Sequence, residues 1–337
     1  MIRRPGAAAL PVFFAGTVAF FCVFAPRFAT ARTFEDLLAG YCFVAIVAMG
    51  QALPILLRGI DLSVGAIVAL AGMVVFDASL IGHLPGWAAL ALALAAATLA
   101  GTLNGLLIVG LRLQPFIATL ATLAAYRGLV FAISGRQLQP ALSTTPLDDP
   151  WIVGLDTTFD IAETLGLPEG WTLPGIPLAF VVALAMLALL QTLLTRTRIG
   201  HALKAVGGNP EAARLAGIGV GRHIVLAYTL SGLCAGIAAL LLVARLTTAT
   251  ESLGNGLELT AIAAAVIGGV SLRGGAGSFW GPVLGAFLLG VVLMGLTLYG
   301  ISQFVQQILS GAILLAAVAH ARWFAQRSAS RRAPAPA

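Results

Sequence analysis

The chain has 337 residues, 59% of them hydrophobic and only 9% charged, against about a quarter charged in an ordinary soluble domain. A water-soluble core cannot hide so much apolar surface, which excludes a soluble globular protein and indicates an integral membrane protein. The net charge of +6 is carried by arginines flanking apolar runs, so it reads as membrane topology and not as nucleic-acid binding.

A helix needs about 20 apolar residues to cross a bilayer. The opening "MIRR" and its apolar run lack a small-residue cleavage site, so no removable signal peptide is read. On the length rule, spans are predicted near 8–26, 36–57, 61–81, 87–110, 115–134, 174–194, 223–245, 256–272, 279–299 and 303–323, the eighth being the shortest. This is an all-α polytopic bundle of about ten spans, one transmembrane domain over 1–337. Ten spans put both termini on one side. With that side cytoplasmic, the inside segments collect Arg3, Arg4, Arg58, Arg112, Arg196, Arg198, Lys204, Arg214, Arg222 and Arg273, and the tail adds Arg322, Arg327, Arg331 and Arg332. The outside stretch 135–173 holds Asp148, Asp149, Asp156, Asp160, Glu163 and Glu169 against Arg136 alone. Arg27 and Arg32 are the exceptions, beside Glu35 and Asp36.

The outer loop 135–173 is rich in proline, glycine and acid, which predicts a partly ordered cap with one short helix at most. The tail 326–337 is expected to be disordered. Small residues crowd the spans, as in "AALALALAAATLAGTLNG", and allow close helix approach. One internal echo occurs: "LLRGIDLSVG" and "SLRGGAGSFWG" both carry Leu-Arg-Gly at a turn between spans.

Polar residues near the spans are the candidates for function. In "GIDLSVG" (59–65), Asp61 can cap the following helix and Ser63 can share that task; the other reading places Asp61 and Ser63 on a polar pathway. Asn104, Arg127, Arg245 and Glu258 lie within or at the edges of spans, where such groups normally face a bundle interior or water cavity. Arg245 ends one span and Glu258 begins the next, which suggests an ion pair. Gln303, Gln306 and Gln307 share a helical face that is expected to pack inward or against a partner. Cys22, Cys42 and Cys234 lie in apolar runs without metal-ligand spacing, and the four histidines are scattered, so neither a disulfide framework nor a metal site is read. No catalytic motif such as GxSxG or HExxH occurs. Lys204 is the only lysine, which rules out a GxxxxGK[ST] phosphate loop.

The segment "TRIGHALKAVGGNPEAARLAGIGVGR" (197–222) stands apart as a soluble-looking insert between apolar runs. Asn209 is a good N-cap, Pro210 suits the first helical position, Glu211 favours the positive helix end and Gly217 suits the left-handed terminator. A two-turn helix over 210–216 follows, with Ala212, Leu215 and Ala216 on one face. Two turns are not stable alone in water. The helix lies either on lipid headgroups or in a groove of a cytoplasmic partner, and the physics leaves both open.

These residues carry a resemblance. "GIDLSVGAIVALAG", "QPFIATLATLAAYRG", "TRIGHALKAVGGNPEAARLAGI", "YTLSGLCAGIAALLLVARL" and "ELTAIAAAVIGGVSLRGGAGS" together resemble the permease subunits of sugar-importing ABC transporters of the ribose, xylose and galactofuranose group. The resemblance runs in order from roughly residue 35 to 320 and implies a multi-pass subunit of a bacterial inner membrane with both termini cytoplasmic. Its implied partners are a second permease copy or paralogue, a cytoplasmic ATPase that binds ATP and magnesium, and a periplasmic sugar-binding protein, with membrane lipid around it. No cofactor is expected in the chain itself and no enzymatic activity. The family's coupling segment falls on Gly207, Gly208, Asn209, Glu211, Ala212, Ala213, Arg214 and Gly217, which favours the partner groove. Asp61, Ser63, Asn104, Arg127 and Glu258 become the candidate translocation-pathway residues. The alternatives are an ion-coupled secondary transporter, a channel or scaffold, and an ABC permease for a non-sugar solute such as a branched-chain amino acid.

Overall fold

The computed structural model describes residues 9–25, 27–134, 149–160 and 173–330. Thirteen helices are described among them: α1 (Ala9–Phe24), α2 (Ala31–Leu56), α3 (Val64–Phe76), α4 (Gly86–Gly110), α5 (Pro115–Ser134), α6 (Pro150–Val153), α7 (Leu178–Arg196), α8 (Arg198–Gly208), α9 (Pro210–Leu215), α10 (Val220–Leu246), α11 (Leu257–Ile267), α12 (Trp280–Leu298) and α13 (Gln303–Ser330). A π turn, Asp77–Ile81, prolongs α3. Seven helices are long and apolar enough to cross a membrane by length and composition: α2, α3 with its π turn, α4, α5, α7, α10 and α12. Most of the outer loop and residues 331–337 lie outside the described residues. What is described of that loop is α6, capped by Asp149, and an antiparallel pair in which Thr158 faces Pro177 and Phe159 faces Ile176. Residues 326–330, expected to be disordered, continue α13 instead.

The core is built around α2, whose residues from Val44 to Leu56 are all buried, and around α3, buried at nearly every position. α3 is apolar all round, and so is α2 over Val44–Leu56 apart from Gln51, as enclosed helices must be. The tightest crossing joins α4 and α10. Each carries a Gly-x-x-x-Gly, Gly101–Gly105 and Gly232–Gly236, and a Cβ on Gly101 or Gly232 would run into the facing backbone. Without a hydrophobic driving force between helices in lipid, such close van der Waals contact holds the pair.

Two helices start inside the bundle. The segment 57–63 leaves the end of α2 and climbs back beside it, so that Asp61 lies next to Gln51; α3 therefore begins at Val64 and not at 61 as expected. After α10 the chain reverses along α3, placing Ala249 beside Gly72 and Gly254 beside Gly65. From there α11 runs the opposite way to α3. Its 11 residues rise about 16 Å, half of a hydrocarbon core. The full span predicted over 256–272 is thus a half-helix preceded by a re-entrant segment. Irregular backbone at such depth is tolerated because protein surrounds it.

Candidate functional site

Asp61 is fully buried. Oδ1 accepts from the Ser63 backbone N–H at 3.0 Å and from Ser63 Oγ at 2.7 Å, while Oδ2 accepts from Ser231 Oγ on α10 at 3.2 Å. Ser231 stands about 16 Å along α10 from Val220, so this carboxyl sits deep in the bundle. With the Gln51 amide oriented to satisfy its neighbours, its nitrogen donates to the Asp61 carbonyl at 3.0 Å and its oxygen accepts from the Asp61 N–H at 3.1 Å. Asn104 Nδ2 donates to Ser63 Oγ at 2.7 Å, and the Tyr126 hydroxyl reaches Asn104 Oδ1 at 3.2 Å and the Ala100 carbonyl at 2.8 Å. Thr119 holds the Ile60 carbonyl at 3.1 Å. Side chains from α2, α4, α5 and α10 thus grip one short extended segment.

The capping reading of Asp61 is corrected by this geometry. Ser63 occupies the N-cap of α3 and makes no side-chain cap bond; Asp61 closes a turn on Ser63 and bridges to another helix. Asp61, Ser63 and Asn104 are all fully buried and joined in one hydrogen-bonded chain, Asp61 to Ser63 and Ser63 to Asn104, which fixes the 57–63 segment. The Tyr228 hydroxyl, buried against Gly59, is the one buried side-chain polar atom without a partner among the described residues.

Arg127 and Glu258 lie elsewhere, at the re-entrant segment. Arg127 Nη1 donates to the carbonyls of Glu251 at 2.6 Å and Leu253 at 2.9 Å, tying α5 to the descending chain. Glu258, in the first turn of α11, sets its carboxylate against Gly65 in the first turn of α3. Both side chains are half-buried, and Ser252, Asn255 and Gly256 beside them are exposed. Half-buried Arg127 and Glu258 and the exposed Ser252 and Asn255 are therefore grouped near the point where the first turns of α11 and α3 meet. The proposed Arg245–Glu258 pair does not form: Arg245 reaches Asp36 at 3.4 Å and Asp156 at 3.8 Å, because the chain turns inward after α10 and carries Glu258 away from it. Of the glutamines on α13, Gln306 donates to Thr297 Oγ1 and the Ile301 carbonyl, whereas Gln303 and Gln307 are exposed.

The segment 196–222 folds as its capping residues dictate. Thr197 caps α8 by accepting from Gly200 N–H at 3.1 Å. Asn209 caps α9 by accepting from Glu211 and Ala212 N–H, both at 3.1 Å. Gly217, at φ 77°, ends α9 with paired bonds from Gly217 N to Arg214 O and from Ile218 N to Ala213 O, the Schellman pattern. Glu211 and Arg214 pair across one turn at 3.2 Å in the open. Ala212, Leu215 and Ala216 form an exposed face on which Leu215 is 83% exposed. Ala213 is 4% exposed and faces its own chain, and Gly207 is buried against Leu56. These two members of the expected coupling set are therefore internal, while Gly208, Asn209, Glu211, Ala212, Arg214 and Gly217 remain at the surface. Sequence periodicity missed the inward Ala213 because a six-residue helix is too short to define its own buried face.

Comparison with known proteins places this geometry in context. The family described as "Branched-chain amino acid transport system / permease component" matches residues 34–318. The ribose import permease protein of Escherichia coli is 36% identical over 304 residues, covering 89% of each chain. The D-allose transport system permease protein of Escherichia coli is 34% identical over 303 residues, covering 90% of this chain and 87% of the relative. The autoinducer 2 import system permease protein of Klebsiella pneumoniae is 36% identical over 310 residues, covering 91% and 84%. No solved structure matches the chain.

Proposed function

The chain belongs to the family of ABC import permeases described as the permease component of branched-chain amino acid transport systems, and from that premise we propose that it carries a monosaccharide, delivered by a periplasmic binding protein, across a bacterial inner membrane. It is a sugar-type ABC permease and a multi-pass membrane protein, as its relatives for ribose and allose are import permeases along most of their length. The finer reading has about ten spans with both termini cytoplasmic, supported by the arginine distribution. A separate cytoplasmic ATPase supplies ATP hydrolysis with its magnesium, and two permeases stand side by side.

The observation that supports a pathway best is the polar grouping near the meeting of α3 and α11. Charged groups at mid-bundle face a water cavity or protein and not lipid, and discontinuous helices whose N-termini meet at mid-depth are a recurrent frame for transporter sites. Arg127, Glu258, Ser252 and Asn255 are accordingly the residues a sugar hydroxyl meets on its way. Weak, replaceable hydrogen bonds suit a passing solute, since tight binding would slow release. On the cytoplasmic side, α9 docks in the ATPase through Leu215, with Ala212 and Ala216 beside it.

The test is uptake into liposomes holding the permease, its ATPase and its binding protein, with ATP inside. Labelled ribose and allose should accumulate only with ATP and binding protein present, and labelled leucine should not. Uptake driven by an ion gradient without ATP, or of leucine alone, would overturn the sugar-importer reading.

A further inference from the structure

Three turns converge on Arg58. Following the end of α2, Arg58 adopts φ 67°, a left-handed backbone uncommon for an L-residue, and its side chain is held in place. The hold comes from α8. Arg58 Nε donates to the Gly207 carbonyl at 2.8 Å, and Nη2 donates to the Gly208 carbonyl. These are the last carbonyls of a helix and have no partner within it, so the guanidinium caps α8 at its negative end.

The turn after α11 closes on the same point. Gly275 N–H donates to the Leu56 carbonyl at 2.8 Å. Gly274, at φ 77°, lies so close that a Cβ there would stand 2.6 Å from both Arg58 Cγ and the Gly207 carbonyl. The two Leu-Arg-Gly turns of the sequence echo are thus the two halves of one joint, with the end of α8 as its third member.

Each member leads to a different working part. Gly208 precedes Asn209, the cap of α9. Arg58 precedes the climbing segment that ends in the Asp61 grip and the start of α3. Gly274 and Gly275 follow α11, whose first turn holds Glu258 against Gly65. We propose that Arg58 is the positioning residue through which movement of the coupling helix α9 reaches both internal helix starts at once. The backbones of Gly207, Gly274 and Leu56 interlock without side-chain play, so they shift together or come apart, and closely packed elements do not deform continuously. Arg58 is the only one of the three turns' members to hold the joint by a forked, charge-assisted side-chain contact, which a point charge does not reproduce. The inference rests on the ABC-permease reading above and names the internal link that reading requires.

The test uses full-length permease reconstituted with its ATPase and binding protein, comparing Arg58→Gln, Arg58→Lys, Gly274→Ala and, as a control, the exposed inner-turn variant Arg112→Ala. Three quantities are read: ATPase co-purification, thermal midpoint of the permease, and sugar transported per ATP hydrolysed. Arg58→Gln should keep ATPase association and hydrolysis yet lose about tenfold in sugar per ATP, as expected for removal of charge-assisted bonds. Arg58→Lys should recover part of that ratio, Gly274→Ala should lose it with the charge intact, and Arg112→Ala should match wild type. A wild-type ratio in Arg58→Gln or Gly274→Ala would overturn the proposal. So would uptake and hydrolysis falling in parallel with the thermal midpoint, which marks Arg58 as a helix cap only. If wild-type permease neither binds the ATPase nor imports sugar, it is the ABC reading that fails.

Discussion

Glu258 sets its carboxylate against the Cα of Gly65, so the first turns of α11 and α3 meet with only that carboxylate between them. A Cβ at Gly65 would collide with that carboxylate and with the Gly254 carbonyl. Gly65→Ala should therefore cost about 1–3 kcal/mol by overpacking. Gly128, in α5 with open space around its Cα, is the contrast: Gly128→Ala should be neutral or stabilising by up to about 1 kcal/mol. Thermal melting of the detergent-extracted protein checks both, and equal midpoints for the two variants would disprove the close meeting.

Asp61 is held by three donors. Asp61→Asn keeps an oxygen for Ser63 and offers Ser231 an amide, so the variant should reach the membrane and transport sugar. Asp61→Leu strands all three donors in the interior at about 1–3 kcal/mol each and should sharply lower the amount of folded permease. Loss of transport in a well-folded Asp61→Asn would instead assign the carboxylate to the pathway.

Arg127 is the tether of the re-entrant segment. Arg127→Ala removes both bonds to it, which at about 2 kcal/mol raises the population of locally opened segment roughly 30-fold. A cysteine at Ala249, buried on the same segment and labelled by a water-soluble maleimide, should react faster in Arg127→Ala than in the parent, with Arg127→Lys between them. Unchanged labelling in Arg127→Ala would show that other contacts hold the segment.

The helix positions were legible because hydropathy records how long a stretch avoids water, and the Asn209–Gly217 helix because capping chemistry is local. Depth was not legible. Residues 256–272 have the composition of a short span, and only the contacts of Gly254 with Gly65 and of Gly275 with Leu56 show that the chain enters halfway and leaves on one side. Arg245 was paired with the wrong acid for the same reason, since sequence proximity to Glu258 says nothing of a re-entrant turn. Helices that are apolar all round also lack the periodicity that would tell which face is buried, and so the sequence leaves open whether Asp61 caps a helix end or faces a polar pathway.

The arginine bias predicts a topology with both termini cytoplasmic. Reporter fusions after residues 85, 155, 210 and 330 should read outside, outside, inside and inside. A cytoplasmic signal at 155 would reverse the placement of α6 and its neighbouring acids.

Leu215 and Ala213 separate docking from folding on the same short helix. Leu215 projects from α9 at 83% exposure while Ala213 is 4% exposed against its own chain. An apolar side chain this open on an interfacial helix gains by entering a pocket on a partner, and a central anchor of that kind is worth about 2 kcal/mol, roughly 30-fold in Kd. Leu215→Asp should therefore leave the melting temperature of the permease unchanged while weakening ATPase association by that factor. Ala213→Trp should do the reverse: the bulky ring has no room inside, so the permease itself should melt lower by the about 1–3 kcal/mol of an overpacked site. Glu211→Lys adds charge at the positive end of α9 and breaks the exposed pair with Arg214; since exposed pairs contribute little to folding, its effect should again appear in ATPase binding and not in melting. Co-purification of the ATPase and a melting curve on each variant give the answer. If Leu215→Asp binds the ATPase as tightly as wild type, α9 lies on the lipid surface and the coupling contact is elsewhere.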